Sequence, residues 1–429
     1  MVNILKISIL SKYSNKYLNM ISKANQKVKC FILSVLQTSL FLELNQPRKT
    51  FMAHVFWQIL SIKGKLNFLQ LERYGTYSEQ TYRNQYEQRF DFFAFNNLLI
   101  QGVVAAERII AFDPSYIPKA GKSTYGKGKY WSGVAGAPKW GLEIGGFAVV
   151  DVENNSAFHL QAYQTPSSLE LKSHGLTLLT HYGNLVIKNA TEFKKISTYL
   201  VADAYFSKAP FVASVLASDM HLISRLRDDS VLCYKYKGGL SGKKGCPKKY
   251  DGRVVAKQLK MDYFSMEHDG PELQIFSATV YCKAFKRDIN LAVAVFLKDG
   301  AETKRKLYFS TDLKQKGNEI VRYYRSRFQI EFLYRDAKQH TGLNNSQARS
   351  ENKLDFHFNA SLTAVNLAKK NWIEDKGEKH QPFSMVNYKT LYNNTLMIEL
   401  FIRKFAVNPN TAKNKKIIQE LLEYGKIAA

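Results

Sequence analysis

Apolar runs of five or six residues recur between residues 105 and 226 and are separated by stretches with helical spacing. Runs of this length suit buried strands, whereas apolar positions three or four residues apart indicate helices. The strands that we predict cover residues 108–113, 146–151, 158–163, 199–203 and 221–226, with helices over 169–183 and 210–217. Strands that alternate with helices are typical of an α/β layer fold.

The pattern changes on both sides of this region. Residues 51–95 have helical spacing, with Gly64 and Gly75 as breaks, and Thr76 or Ser78 could cap a helix that begins near Tyr77. Between 228 and 312 the helical signal fades. There we predict antiparallel strands over 231–236, 273–285, 290–297 and 306–310. After Gly317 the helical spacing returns, and we predict helices over 324–338 and 354–372.

Charge narrows the choice of partner. The chain has 62 Lys and Arg against 36 Asp and Glu, a net charge of +26, which suits a polyanion and above all nucleic acid. The 45% of apolar residues excludes a wholly disordered chain. Lys235 to Lys260 contains nine basic residues and one acid, Asp251, which favours contact with a phosphate backbone over a merely solvated surface. Two short helices around Gly75 suit a helix-turn-helix, with a helical packing domain as the alternative.

Cysteine usage and hydropathy bear on location. Cys30, Cys233, Cys246 and Cys282 are far apart and form no CxxC pair, which excludes a zinc ribbon and a disulfide scaffold and fits a reducing cytoplasm. The apolar stretch from Phe31 to Leu44 is too short and too polar to span a bilayer. The residues before it have no clear apolar segment followed by a cleavage site, so we predict neither secretion nor a membrane partner.

Two acids at the ends of predicted strands are candidates for chemistry. Asp113 and Asp203 would stand at the carboxyl ends of buried strands, where open α/β sheets place their ligands. Neighbouring carboxylates repel each other, and a divalent cation with a preference for oxygen, Mg²⁺ or Mn²⁺, relieves that repulsion. The alternative for each acid alone is a strand-end Asp that only turns the chain.

A third acid lies in the predicted helix over 324–338. Tyr324, Arg327, Glu331 and Lys338 follow at i, i+3, i+7 and i+14, which places all four on one helix face. Glu331 is suited to complete a site of three carboxylates. The two cations suit phosphate, Arg327 through its planar fork and Lys338 as a point charge.

The spacing of these four residues resembles the signature helix of bacterial DDE transposases of the insertion-sequence-four type. All four positions and all three spacings match. The surroundings of Asp113, the segments 202–206 and 339–343, and the Trp-Ser-Gly at 131–133 are similar to that family too. The resemblance extends over about residues 105–370 and is weaker in the first hundred residues.

The resemblance implies a fold and a division of the chain. The expected fold is an α/β ribonuclease-H-like core interrupted by a mostly β insertion. The expected divisions are a helical, DNA-binding region over 1–100, core over 101–227, insertion over 228–312, core completion over 313–374 and a helical tail over 375–429. The separation of Asp203 from Glu331 leaves room for such an insertion.

The resemblance also implies residue roles. Asp113, Asp203 and Glu331 would be the catalytic triad that binds two Mg²⁺ ions, or Mn²⁺ in their place. Tyr324, Arg327 and Lys338 would contact the backbone of the transposon end near the cut. In some relatives a Trp in the insertion stacks on a flipped base. The tryptophans here are Trp57, Trp131, Trp140 and Trp372, none of them in the insertion, where Tyr234, Tyr236 or Tyr250 could substitute.

The expected activity is metal-dependent cleavage at transposon ends, followed by transfer of the freed 3′-hydroxyl into target DNA. A homodimer would pair the two ends, in a cytoplasmic protein associated with the nucleoid. The first alternative is a ribonuclease-H-like nuclease or resolvase, which would cut without joining. The second is a catalytically inactive DNA-binding derivative, although all three carboxylates are present.

Overall fold

The alternating pattern of strands and helices produces one mixed sheet. The computed structural model describes residues 23–121, 123–238, 247–375 and 382–427, and within these ranges the sheet has twelve strands. The strands are β1 Arg108–Pro118, β2 Gly128–Ser132, β3 Ala137–Asp151, β4 Ser156–Gln164, β5 Tyr199–Ala202, β6 His221–Arg225, β7 Leu232–Lys235, β8 Tyr250–Arg253, β9 Ser265–Asp269, β10 Leu273–Cys282, β11 Arg287–Lys298 and β12 Ala301–Ser310.

Helices precede, interrupt and follow these strands. They are α1 Lys23–Leu36, α2 Gln46–Ser61, α3 Phe68–Tyr74, α4 Glu79–Glu87, α5 Phe92–Ile100, α6 Ser168–Ser173, α7 Leu178–Ile196, α8 Ala209–Ala217, α9 Gly317–Ser326, α10 Gln329–His340, α11 Glu351–Asp375, α12 Met385–Phe405 and α13 Ala412–Glu423. No helix in the described ranges is long and apolar enough to cross a membrane. The segment before Lys23, where we predicted no secretion signal, lies outside the described residues.

The strand order is β2-β3-β1-β5-β6-β12-β11-β10-β7-β8, with β4 paired to β3 and β9 paired to β10. Strand β1 is antiparallel to β3 and parallel to β5, and β5 is parallel to β6. At β1 both faces of the sheet are buried, since successive residues of this strand point into different cores. Ile109 and Ala111 join the core under the terminal helices, whereas Ile110 and Phe112 join the core under α7 and α8.

The segment predicted as a β-rich insertion continues the same sheet. Strand β12 pairs antiparallel with β6, with Phe309 opposite Ser224, and β11, β10 and β7 follow as antiparallel neighbours. The predicted antiparallel strands are therefore present. Of the candidate aromatics, Tyr234 is buried and its hydroxyl accepts a hydrogen bond from the Lys260 backbone, so Tyr234 packs inside the protein. Residues 239–246 of the Lys-rich stretch lie outside the described residues.

The helices at the two ends of the chain pack on each other. The buried Nζ of Lys389 in α12 donates to the Ile59 carbonyl of α2, and the rings of Trp57 and Tyr392 lie 5.6 Å apart. Burial lowers the pKa of Lys389 to about 7. The first and last predicted segments thus form one helical layer.

The predicted cap near Gly75 is confirmed at Ser78, whose side chain accepts from the Thr81 backbone and begins α4. Gly75 is required by packing because a Cβ there would clash with Tyr82 and Gln58. The inner face of α4 buries Tyr82 and Tyr86. DNA binding by the first hundred residues stays a prediction.

Three local predictions were wrong. The helix over 169–183 is two helices, because Gly175 between α6 and α7 adopts a positive φ of 65°. The helix over 324–338 is also two, since i→i−3 bonds such as Phe328 N to Arg325 O separate α9 from α10. Asp113 does not end its strand. Parallel pairing with β5 stops at Phe112, while pairing with β3 continues to Pro118.

We expect Tyr392→Ala to lower the free energy of unfolding by about 3–5 kcal/mol, because it removes a fully buried ring that packs on Trp57 and a hydroxyl that accepts from Asn371. Urea unfolding followed by circular dichroism measures the change. The matched control is Tyr424→Ala, which removes a ring that is 78% exposed. Equal losses in the two variants would contradict the packing of α12 on α2 described above.

Candidate active site

Three acids that are distant in the chain line one cavity. Asp113, Asp203 and Glu331 all face a space of about 850 Å³. Asp113 follows the last residue of β1 that pairs with β5, and Asp203 follows the last residue of β5. Because Phe112 and Ala202 are partners in that parallel ladder, the two acids emerge side by side. Glu331 comes from the first turn of α10.

Arg327 joins two of these acids. Its Nη1 lies 3.2 Å from Oδ1 of Asp113, and its Nη2 lies 2.9 Å from Oε1 of Glu331. The Arg327 side chain is only 11% exposed, so these charge-assisted hydrogen bonds are shielded from water. The break between α9 and α10 falls next to Arg327, whose backbone stays in the right-handed helical region. The guanidinium therefore still reaches Glu331 four residues later.

The pKa of Asp113 depends on burial and on the charges around it. Burial raises the pKa of Asp113 above its ordinary value of 3.8, and the charge of Arg327 lowers it again. The charges of Glu331, Asp203 and Glu143 raise the pKa further, so that Asp113 titrates at about 7. Four carboxyl groups are thus close enough for their charges to interact. A raised pKa in a cleft is typical of functional sites.

Asp203 also closes the turn that follows β5. Its Oδ1 accepts a hydrogen bond of 3.3 Å from the backbone N–H of Tyr205, as the cap of a short 3₁₀ turn. Ser224 Oγ on the neighbouring strand β6 donates to the backbone carbonyls of Ala202 and Asp203. Asp203 also lines the cavity, so the turn role that we weighed as an alternative coexists with a place in the site.

The structure separates the other predicted contacts. Lys338, two turns after Glu331, lines the cavity, and burial lowers its pKa while the charge of Asp113 raises it. Neither Tyr324 nor Arg327 is among the described residues that line the cavity, although Arg327 contacts two of the acids. The Tyr324 ring lies 4.9 Å from that of Tyr308 and 5.8 Å from the Arg327 guanidinium, so Tyr324 supports Arg327. Contact of Tyr324, Arg327 and Lys338 with a DNA end stays a prediction.

Two neighbours of the acids were missed in the sequence. Glu143 lines the same cavity, and its Oε1 accepts a hydrogen bond of 2.6 Å from the Tyr182 hydroxyl. The Tyr334 hydroxyl donates to the backbone carbonyl of Asp113 at 2.6 Å, and it fits because Gly146 on β3 has no side chain to block it. A lone acid in the apolar run around 142–144 was a usable signal for Glu143.

The oxygen donors fit hard divalent cations, with Asp113, Asp203 and Glu331 as the residues that would hold them. As placed, no group of three His, Cys, Asp or Glu side chains in the described part of the chain lies close enough to share an ion. Arg327 supplies the positive charge between two of the acids instead.

Comparison with known proteins gives a match to one family model over part of the chain. Residues 181–367 match the family model described as "Transposase DDE domain". This match supports a DDE transposase. It includes Asp203 and Glu331 but begins after Asp113, and it spans less than half of the 429 residues. The family implies a nucleotidyl-transfer enzyme that acts on DNA, and its members generally use divalent metal ions. A search of curated proteins found no match.

We expect Asp113→Asn to become more stable relative to the unmodified chain as pH rises from about 4 to about 8. Because the folded pKa of about 7 exceeds the ordinary value of 3.8, the folded state binds the proton more tightly. The stability from that proton is complete below the unfolded pKa and is lost as pH rises through the folded one. Asn mimics the protonated form at every pH. Urea unfolding across this pH range measures the difference.

The control for this series is Asp299→Asn, which changes an exposed residue in the turn between β11 and β12. Its stability difference from the unmodified chain should not vary with pH. The assignment of a raised pKa to Asp113 would be wrong if the two variants behaved alike.

Proposed function

We propose that the chain is a DNA transposase of the insertion-sequence-four type, which cleaves transposon ends and joins the freed 3′-hydroxyl to target DNA. The observation that carries the proposal is the convergence of Asp113, Asp203 and Glu331 on one cavity, with Lys338 in its lining. Arg327 stands among these acids and adds a second cation. Carboxylates for metal and cations for phosphate are what phosphoryl transfer requires. The match of residues 181–367 to a transposase domain gives the class.

The strand order supports a ribonuclease-H-like core, which we propose for residues 101–227 and 313–374. Strands β4, β3, β1, β5 and β6 are successive neighbours, with β3 antiparallel to β1 and with β1, β5 and β6 parallel. The segment 228–312, which we propose as the insertion, then follows β6 and precedes α9.

The reaction would use the side chains as follows. Divalent ions held by the three carboxylates, two in our proposal, would supply activation of the attacking hydroxyl and stabilisation of the leaving oxygen. Arg327 and Lys338 would bind phosphate oxygens next to the cut, with Tyr324 positioning the Arg327 guanidinium. In the first step water attacks the phosphorus, the bond from phosphorus to the 3′ oxygen breaks, and a 3′-hydroxyl is freed. That hydroxyl then attacks the phosphorus of a target phosphodiester, the bond from this phosphorus to the target's own 3′ oxygen breaks, and the target strand is left with a free 3′-hydroxyl.

The partners follow from charge and exposed apolar surface. The net charge of +26 supports double-stranded DNA as the substrate, in a protein that we place in the cytoplasm with the nucleoid. Phe401, Phe405, Leu421 and Tyr424 in and next to α12 and α13 are exposed. Exposed apolar groups of this kind support the tail over 375–429 as a homodimer contact that pairs two transposon ends.

The activity test is incubation of the chain with the DNA that flanks its own gene, in the presence of Mg²⁺ or Mn²⁺. We expect nicks at the element ends and joined products, both of which a sequencing gel resolves. Cleavage without joining would replace the proposal with a nuclease or resolvase. Binding without any metal-dependent cleavage would replace it with an inactive DNA-binding derivative.

We expect Asp113→Asn, Asp203→Asn and Glu331→Gln each to reduce cleavage by at least about 1,000-fold, because each removes a proposed metal ligand without changing the side-chain volume. Binding of the same DNA should persist in all three. Asp299→Asn serves as the matched control and should cleave like the unmodified chain. Retained cleavage in any one variant would remove that residue from the site.

We expect Arg327→Ala and Lys338→Ala to reduce end cleavage about 100-fold or more while total DNA binding falls less than tenfold. The reason is that these cations act on one phosphate among the many that the chain contacts. Lys194→Ala, an exposed position at the end of α7, is the control for loss of one charge. If cleavage and binding fell by the same factor, we would conclude that both residues contribute only general electrostatic attraction to DNA.

A further inference from the structure

A second large cavity, of about 930 Å³, lies where β1 ends. Three parts of the chain form it: the region of α3 and α4, the loop after Pro118, and the segment from Asn344 into α11. We call it the basic cleft, because its lining includes five cations and no acid among the described residues. These cations are Lys65, Arg83, Lys119, Arg349 and Lys353.

Three of the five cations have no acidic partner. Arg83 pairs with Glu79, and Lys353 lies 2.8 Å from Glu87. In the described ranges, no carboxylate is within salt-bridge distance of Lys65, Lys119 or Arg349, so their charge is not neutralised by the protein.

Lys119 is held in place rather than free in solvent. Its Nζ donates to the backbone carbonyls of Ser346 at 2.6 Å and Ala348 at 2.9 Å. Burial lowers its pKa, and the nearby charge of Arg349 lowers it further. Like charges that the fold holds together repel, and an anion between them relieves the repulsion. The cleft is therefore built to receive a polyanion.

The basic cleft and the carboxylate cavity share the same two elements. Strand β1 carries Asp113 and ends at Pro118, five residues later, which at about 3.3 Å per residue is a distance of roughly 17 Å. Helix α10 carries Glu331 and ends just before the segment that lines the cleft. Duplex DNA rises about 3.4 Å per base pair, so the two sites are about five base pairs apart.

We infer that the basic cleft binds the phosphodiester backbone of the duplex whose scissile phosphate lies at Asp113, Asp203 and Glu331. The inference rests on the proposed function for the identity of the DNA. It also gives the helical N-terminal region a specific part in DNA binding. Lys65 and Arg83 contact the backbone in a cleft shared with the core, in place of a recognition helix in the major groove.

The test compares two double variants by equilibrium binding of a labelled duplex from the DNA beside its own gene, over a range of salt concentrations. Lys65→Ala with Arg349→Ala removes two exposed cations of the basic cleft. The control, Lys194→Ala with Lys195→Ala, removes two exposed cations from α7, which packs on the other face of the sheet. A third variant, Lys65→Arg with Arg349→Lys, keeps the charge.

We expect the cleft variant to bind about tenfold to hundredfold more weakly at about 0.1 M salt, with a salt slope smaller by about 2. The control and the charge-keeping variant should bind like the unmodified chain, and unfolding midpoints should agree among all four proteins. Equal affinities and slopes for the cleft and control variants would overturn the inference.

The same proteins separate this inference from the proposed function. If the unmodified chain shows no metal-dependent cleavage, the proposed enzyme activity is wrong. The comparison of DNA binding among the variants still tests the basic cleft in that case. If the unmodified chain cleaves DNA and the cleft variant binds DNA as tightly as the unmodified chain, the proposed activity stands and the inference about the basic cleft is wrong.

Discussion

Repulsion among neighbouring carboxyl groups is the constraint on which the site depends. Asp113, Asp203, Glu331 and Glu143 line one cavity, and burial weakens the screening of charge by water at Asp113 and Glu143. The protein offsets this repulsion in two ways: Asp113 takes up a proton more readily than a free carboxyl, and Arg327 binds Asp113 and Glu331 together. Arg327 thus carries the positive charge that these neighbouring acids need.

The sheet makes this convergence possible. Residues 113 and 203 are far apart in the chain, yet the parallel pairing of β1 and β5 places them next to each other. Glu331 is placed in another way, since it comes from a helix. Helix α10 packs against β1, and the Tyr334 hydroxyl of α10 donates a hydrogen bond to the Asp113 carbonyl. Gly146 allows that contact from the third strand. Four separate segments thus determine one geometry.

Sequence reasoning reached the strands and the acids because their signals are local. Apolar runs such as 199–202 report burial directly, and an acid that follows such a run is visible without a structure. The break at Arg327 was missed because all residues around it suit a helix, and only tertiary packing decides that α9 and α10 separate there. The extension of β1 to Pro118 was missed for a similar reason. The residues after Asp113 stay in a strand because they pair with β3, and this pairing is not visible in the sequence of β1. The basic cleft could not be predicted, because its cations come from three distant segments.

Continuity of the sheet through β6 has a mechanical consequence. Strand β6 is hydrogen-bonded to β5, which leads into Asp203, on one side and to β12 on the other. The antiparallel strands β10 to β12 therefore cannot rotate as a rigid body about a linker, because any such rotation would first break the pairs that join Tyr308 to Arg225 and Ser310 to Ile223. A load applied to these strands is transmitted along the hydrogen-bond network to the ends of β5 and β1, where Asp203 and Asp113 lie.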